Sequence, residues 1–283
     1  MTGLRTMLAA AAAVLLAGAA QAQEPVKIGL IIPMTGPFQG TGKQTEAAVK
    51  LYMQQHGDTV AGRKVEVILR DDAGVPDTTK RLAQELVVRD HVNVLMGFGL
   101  TPLAMAVAPI ATQAKVPEIV TVAATSVITT QSPYIVRPGQ VLPQPAVAMA
   151  DWAAQNGIKK VVTVVSDYGP GYDAEKYFNE RFKQAGGQVL ESLRVPLANP
   201  DFAPFLQRAH DQKPDALFVF VPAGVGSIFA KQFIERGLDK SGIRLIATAD
   251  VTDDYILNGM GDAMLGVVSA GPYSAAHPSD TNK

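Results

Sequence analysis

The stretch that decides the fold is VKIGLIIPMTGPFQGTGKQTEAAVKLYMQQH, residues 26–56. It opens with the almost continuously apolar run Val26–Ile32, which predicts a strand covered on both faces. Apolar residues then recur four positions apart, as Ala47 and Leu51 do, and this spacing predicts a helix over residues 42–56. A buried strand followed by an amphipathic helix is the repeating unit of a parallel α/β sheet.

The same alternation continues along the chain and is interrupted once, by Pro and Gly at residues 137–140. Before the break it predicts strands 65–70, 94–97 and 118–122 and helices 76–89 and 102–114. After the break it predicts strands 161–166, 188–195, 216–221 and 244–248 and helices 172–185, 202–212 and 224–236. Two successive blocks predict an α/β protein with two doubly wound parallel-sheet lobes. In such sheets ligands bind beyond the carboxyl ends of the strands.

The N-terminus has the pattern of an export signal. Residues 1–7 contain one Arg and no acid, residues 8–20 are apolar or small, and Ala20-Gln21-Ala22 is a small-x-small cleavage sequence. The apolar run is shorter than the roughly 20 residues that a membrane-spanning helix needs. We therefore expect cleavage after Ala22 and a periplasmic protein, in a compartment that offers no ATP, NAD or nucleic acid.

The composition excludes several functional classes. Charged residues make up 18% of the chain and the net charge is −1, which argues against binding to nucleic acid or to anionic lipid. The chain has no cysteine and therefore no thiol nucleophile, disulfide or cysteine metal site. Neither a Gly-x-Ser-x-Gly nor a His-Glu-x-x-His motif occurs, and no histidine has the spacing of a metal ligand. We expect no cofactor, no metal and no enzymatic activity.

Two further features admit several interpretations. The Gly-rich loop 36–44 misses phosphate-loop spacing by one residue and has Gln44 where a Mg²⁺-binding hydroxyl belongs, which leaves a plain turn or a cleft wall that includes Phe38. The pair Asp71-Asp72 is typical of a turn or of a ligand contact. The pair Asp253-Asp254 is typical of a helix cap, and acid/base catalysis is the remaining alternative for both pairs.

Three strand-end loops carry groups suited to a small polar ligand. Residues 97–102 and 123–126 offer hydroxyls and backbone amides, which favour a carboxylate at a helix N-terminus. Residues 248–250 end a strand of the second block with an acid. Facing lobes with these groups suit a zwitterion or a ligand with separated acceptors and donors. Thr125 and Asp250 are equally compatible with a role as helix caps.

At these loops the chain resembles the branched-chain amino acid group of periplasmic solute-binding proteins, the receptors of ABC importers. The resemblance lies in residues 26–37, in the acidic strand end 70–73 and in the Ser-Asp-Tyr-Gly turn 166–169, in this order and spacing. It implies the type I periplasmic binding fold, with two lobes joined by a hinge that closes on the solute. The implied partners of a monomeric receptor are a small-molecule solute and a membrane permease.

The resemblance also implies a set of ligand contacts. Thr101, Ala123 and Thr125 match the positions that hold an amino acid carboxylate, and Asp250 matches the acid that meets the ammonium group. The side chains implied as further cleft lining are Phe38, Thr41 and Tyr168.

Departures from the family pattern put the solute in question. Pro170 replaces a tyrosine, Thr41 stands at an aromatic position, and a second-lobe aromatic is missing from residues 220–224. Loss of aromatic walls predicts a wider cleft, so an aromatic acid or amide is an alternative to an amino acid.

The resemblance divides the chain into a leader (1–22), an N-terminal lobe (23–139), a C-terminal lobe (140–265) and the start of a return crossing (266–283). Family members usually continue further, so we expect a fold incomplete at the C-terminus, with apolar sheet and helix faces exposed. The leading hypothesis is the binding component of an importer that captures an amino acid or a related carboxylate. The alternatives are a ligand-sensing protein of the same fold and a periplasmic hydrolase that uses the Asp pairs.

Overall fold

The computed structural model of the protein describes residues 24–274 and 277–280. The predicted export signal and its cleavage after Ala22 lie outside the described residues. Among the described residues, no helix combines the length and the apolar character required to cross a membrane.

The first sheet contains six strands, and helices follow three of them. Its strands are β1 (Val26–Ile32), β2 (Thr59–Val60), β3 (Arg63–Asp71), β4 (Val94–Gly97), β5 (Glu118–Val120) and β6 (Ile135–Val136). The helices are α1 (Gln39–His56), α2 (Pro76–Val88) and α3 (Thr101–Ala114). The strand order is β2-β3-β1-β4-β5-β6, and every pair is parallel except the β2–β3 hairpin.

The second sheet contains five parallel strands in the order β11-β10-β9-β7-β8. Its strands are β7 (Lys160–Ser166), β8 (Gln188–Val195), β9 (Ala216–Phe220), β10 (Arg244–Thr248) and β11 (Val268–Ala270). Its helices are α4 (Pro143–Gln155), α5 (Gly169–Gln184), α6 (Ala203–Asp211), α7 (Gly226–Glu235) and α8 (Asp254–Leu257).

The predicted elements are present, and the differences lie in short strands and in helix starts. The two-residue strands β2 and β6 are too short to give a hydrophobic period and were not predicted. Helices α1 and α5 begin three residues before the predicted starts, at Gln39 and Gly169. Residues 39–44 of the Gly-rich loop thus belong to α1. Glycine at position 42 lets the helix lie close to the carbonyl of Pro33, which directly follows β1.

Helices pack tightly against both sheets and bury their central strands. All five residues of β9 are buried, and Phe218 stacks on Phe178 of α5 with ring centroids 3.9 Å apart. A second cluster, around Phe98 and Leu103, joins α2 and α3 to the first sheet. Such close-packed layers hold the strand ends, and the loops that follow them, in fixed positions.

Helix α1 covers the first sheet less tightly. Its buried residues are Gly40 and Gly42, whereas Tyr52 is 64% exposed. An apolar groove lies between this helix and the sheet, with Leu30 and Met96 among its walls.

Candidate ligand-binding cleft

The carboxyl ends of strands from both sheets face one crevice between the lobes. The crevice leaves about 380 Å³ free of protein atoms, part of it open to solvent. Its walls in the first lobe are Phe38, Thr41, Gly99, Leu100, Thr101, Val122, Ala123 and Ala124. Across the crevice the walls are Leu142, Tyr168, Pro170, Phe220, Pro222, Ala223 and Asp250. Six of the seven residues predicted from the sequence therefore share this crevice, and Thr125 lies next to it.

The first-lobe side of the crevice is formed by the N-terminus of α3. Leu100 is extended and leads directly into the helix, with Pro102 in the first turn. In the described part of the chain, the amide N–H groups of Gly99, Leu100 and Thr101 have no acceptor. Free amides at the positive end of a helix dipole favour an anion such as a carboxylate.

Thr101 and Thr125 form a buried pair of hydroxyls. Their Oγ1 atoms are 2.7 Å apart, and the two residues are 7% and 5% exposed. The carbonyl of Thr125 accepts a hydrogen bond from Arg137 at 2.5 Å. Gly169 packs directly against the Thr125 side chain. Thr101 faces the crevice and Thr125 lies behind it, so Thr125 orients the Thr101 hydroxyl.

The Ala123 amide is already bonded within the protein. It donates to the carbonyl of Phe98 at 3.0 Å, because residues 121–123 continue the pairing of β4 with β5. The amides of Ala124 and Thr125 have no acceptor in the described part of the chain. The free donors of this loop therefore begin one residue later than the resemblance implies. Ala124 lies in the predicted loop 123–126, but nothing local to the sequence singles it out, because the sequence does not tell which amides a neighbouring strand will use.

The second-lobe side of the crevice is aromatic. Tyr168 stacks on Phe220, with ring centroids 6.0 Å apart and planes inclined by 19°. Phe38 contacts the apolar cores of both lobes, and its ring lies against Gly74. The expected loss of a second-lobe aromatic is wrong, because Phe220 at the end of β9 supplies a ring.

Asp250 follows β10 and brings a carboxylate to this aromatic wall. Its Oδ2 is enclosed and has no hydrogen-bond partner among the described residues. Burial raises the pKa of Asp250 to about 6. Burial and then the charge of Asp250 raise the pKa of Tyr168 well above its ordinary value. Hydrogen bonds from the Thr248 side chain and the Asp250 backbone oppose the rise in the pKa of Asp250. The carboxylate therefore keeps one enclosed oxygen, Oδ2, that lacks a donor.

The acidic pairs have structural roles. Asp253 caps α8 by accepting from the Tyr255 amide at 2.8 Å, as the sequence predicts, so Asp250 is not that cap. Asp71 accepts from the Met34 and Ala73 amides, both at 2.8 Å. Burial alone raises the pKa of Asp71, but hydrogen bonds from Thr35, Met34 and Ala73 outweigh it and lower the pKa.

The partner of Asp71 is also engaged in local structure. Asp72 accepts from Thr79 Oγ1 at 2.9 Å and from the Gly74 amide at 3.0 Å, so the pair forms a turn. Among the described residues, no three His, Asp or Glu side chains lie close enough to hold a metal ion.

Comparisons with known proteins place this geometry in a family. The sequence profile of the periplasmic binding protein family matches residues 25–283. The chain is 44% identical to Leu/Ile/Val-binding protein homolog 6 of Brucella melitensis, over 98% of this chain and 71% of that protein.

Solved structures show the same similarity. A solute-binding protein of an ABC transporter from Rhodopseudomonas palustris BisB5, in complex with 3,4-dihydroxybenzoic acid, is 64% identical with a TM-score of 0.87, over 92% of this chain and 71% of that one. Another from R. palustris, in complex with 4-hydroxybenzoate, is 42% identical with a TM-score of 0.88, over 91% and 71%. A leucine-binding protein of Thermotoga maritima is 25% identical with a TM-score of 0.77, over 86% and 68%. The predicted family and two-lobed α/β fold are confirmed: the chain belongs to the periplasmic binding protein family, as a solute-binding protein of the kind that serves ABC transporters.

Proposed function

We propose that this protein captures a phenolic aromatic carboxylic acid in the interlobe crevice and delivers it to the permease of an importer. The observation that carries the proposal is that hydrogen-bond donors and an unpaired acceptor lie on opposite sides of one crevice. Free amides and the Thr101 hydroxyl lie on one side, and the unpartnered Asp250 oxygen lies on the other. The stacked rings of Tyr168 and Phe220 form part of the wall around them.

Each part of such a ligand finds a matching group. The carboxylate accepts hydrogen bonds from the amides at the start of α3, where the helix dipole favours an anion. The aromatic ring packs among Tyr168, Phe220 and Phe38, in the offset or edge arrangements that aromatic pairs prefer. The phenolic hydroxyl donates to Asp250, which satisfies a buried acceptor that is otherwise unpaired. The named ligands of the two R. palustris proteins, 3,4-dihydroxybenzoic acid and 4-hydroxybenzoate, have this chemistry.

Because both lobes contribute contacts, the ligand favours the state in which they are together. Hinge closure of this kind is the usual response of two-lobed binding proteins. The closed form would then be the one that docks to the permease.

An amino acid is the second candidate, and the Asp250 carboxylate favours it because an ammonium group would pair with that charge. The Brucella relatives are named Leu/Ile/Val-binding protein homologues, which supports the same candidate. The rise in the Asp250 pKa and the aromatic wall favour a neutral donor over a cation.

Calorimetry with 4-hydroxybenzoate, benzoate and leucine distinguishes the candidates. We expect 4-hydroxybenzoate to bind at least about tenfold more tightly than benzoate, since the hydroxyl adds a hydrogen bond to a charged group. Asp250→Asn should remove most of that difference while benzoate binding stays the same. Asp254→Asn, a change at a neighbouring exposed acid, is the matched control. Tighter binding of leucine than of either aromatic acid would contradict the proposal.

A further inference from the structure

We infer that a set of contacts outside the ligand crevice holds the two lobes together and thereby sets the affinity for the ligand. We call this set the interlobe latch. It joins Gly40, Lys43 and Gln44 of α1 to Asp253 and Tyr255 at the start of α8. None of the five lines the crevice.

The latch is a side-chain interface with little room to spare. The Tyr255 ring lies on Gly40 so closely that a Cβ atom at Gly40 would be 2.6 Å from Cδ1 of the ring. Lys43 Nζ donates to the Tyr255 hydroxyl at 3.2 Å and lies 5.8 Å from the ring centroid. Gln44 Nε2 donates to Asp253 Oδ1 at 3.2 Å.

Glycine at position 40 is what lets the two elements meet. The three nearest atoms to a Cβ there all belong to the Tyr255 ring. A methyl group at this position therefore meets the Tyr255 ring first, and so acts on the latch. Alanine also has a higher helix propensity than glycine, so α1 itself should not be weakened.

The latch is connected to the ligand crevice through the chain. Asp253 follows Asp250 by three residues, and the turn between them is closed by bonds from the Val251 and Thr252 amides to Thr248 and Ala249. Burial, and in smaller part the charge of Asp253, raises the pKa of Asp250. Movement of α8 away from α1 would therefore displace the acid that faces the ligand.

Contacts made only while the lobes are together increase the closed population in the absence of ligand. Apparent affinity rises in proportion to the fraction of molecules in the binding-competent state. The latch thus tunes affinity without touching the ligand. This inference rests on the proposed function only in that the lobes open and close.

The absence of cysteine makes a direct test practical. Spin labels on Lys80→Cys in α2 and Lys183→Cys in α5, two exposed positions in different lobes, report the interlobe distance by pulsed electron resonance without any ligand. We expect Gly40→Ala to lower the ratio of closed to open molecules at least about tenfold, since overpacking is relieved by separation. Tyr255→Phe and Gln44→Ala, which each remove one hydrogen bond, should lower it roughly two- to fivefold.

Tyr52→Phe and Gln54→Ala are matched controls, because both side chains are exposed on the same helix and outside the latch. Distances in Gly40→Ala and Gln44→Ala that equal those of the controls would overturn the inference. Should Gly40→Ala fail to fold, as judged by circular dichroism, Lys43→Ala and Gln44→Ala decide the question, since both side chains are exposed.

A second experiment measures the affinity of each variant for 4-hydroxybenzoate. In each latch variant we expect this affinity to fall by the same factor as the fraction of closed molecules. If no aromatic acid binds to any variant, the proposed function fails. The distances measured without ligand still decide whether the latch exists.

Discussion

At the scale of single residues, two buried carboxylates, Asp250 and Glu118, have pKa values that burial raises. Asp250 has an enclosed oxygen without a partner, and burial raises its pKa to about 6. Above that pH the ionised form predominates and is the stronger acceptor, since a hydrogen bond to a charged group is roughly twice as strong as a neutral one.

We therefore expect the affinity for 4-hydroxybenzoate to fall roughly three- to tenfold as the pH decreases from 7.5 to 5. Benzoate has no hydroxyl to donate, so its affinity should change little over the same range. Asp250→Asn should make the two ligands behave alike. Calorimetry at both pH values provides the measurement, and an equal pH dependence for both ligands would exclude this role of Asp250.

Glu118 of β5 is a second unpartnered acid, on a strand of the first sheet. It is fully buried, neither carboxylate oxygen has a partner in the described part of the chain, and burial raises its pKa to about 8. A raised folded-state pKa gives stability that is complete below the unfolded value of 4.5 and is lost as the pH rises towards 8.

Glu118→Gln removes this titration while keeping the shape of the side chain. We expect the variant to gain stability over the parent between pH 5 and pH 8, by an amount on the order of a few kcal/mol. Urea unfolding at pH 5, 6.5 and 8 measures the difference. Glu180→Gln, at an exposed position of α5, is the control and should show no such gain. A constant difference across the three pH values would rule out a buried neutral Glu118.

At the scale of elements, the starts of helices are fixed by how closely they approach strand ends. The first turn of α5 passes over the end of β7, and a Cβ atom at Gly171 would overlap the carbonyl oxygen of Ser166. That neighbour is backbone and cannot rotate away.

Gly171→Ala should therefore destabilise the protein by about 1–3 kcal/mol, the usual cost of overpacking. The physical reason is displacement of α5, which also carries Pro170 of the crevice wall. Chemical denaturation measures the loss. Gly40→Ala serves as the comparison, because the atoms nearest to its new methyl group belong to the Tyr255 side chain of the other lobe and not to backbone. Equal stability of both variants would show that α5 can shift without cost.

At the scale of the whole molecule, the ligand and the hinge are thermodynamically linked. A ligand that binds only the folded state stabilises it by an amount that depends on concentration relative to Kd. At 100 times Kd, 4-hydroxybenzoate should raise the free energy of unfolding by about 2.7 kcal/mol.

The same ligand should make the molecule more compact, because it contacts both lobes. Small-angle scattering with and without 4-hydroxybenzoate measures this change, and denaturation in the presence of ligand measures the stabilisation. Benzoate at an equal multiple of its own Kd should raise the free energy of unfolding by the same amount. This control shows that the stabilisation depends on the fraction of protein with bound ligand and not on the phenolic hydroxyl. Stabilisation without any change in size would contradict closure around the ligand.

The sequence by itself determined the two α/β blocks, the break between them and the loops that form the crevice. These follow from periodicity and from local Gly and Pro chemistry, which act between residues close together in the chain. It also indicated that the pair Asp253-Asp254 caps a helix, since a cap involves only its own helix, and the structure assigns that cap to Asp253.

Tertiary structure alone decided how these groups meet. It engaged the Ala123 amide with Phe98, placed Thr125 behind Thr101, and added the ring of Phe220 to the crevice wall. It also joined Lys43 to Tyr255, which are 212 residues apart. Such contacts depend on which segments pack together, and no periodicity along the chain encodes that choice.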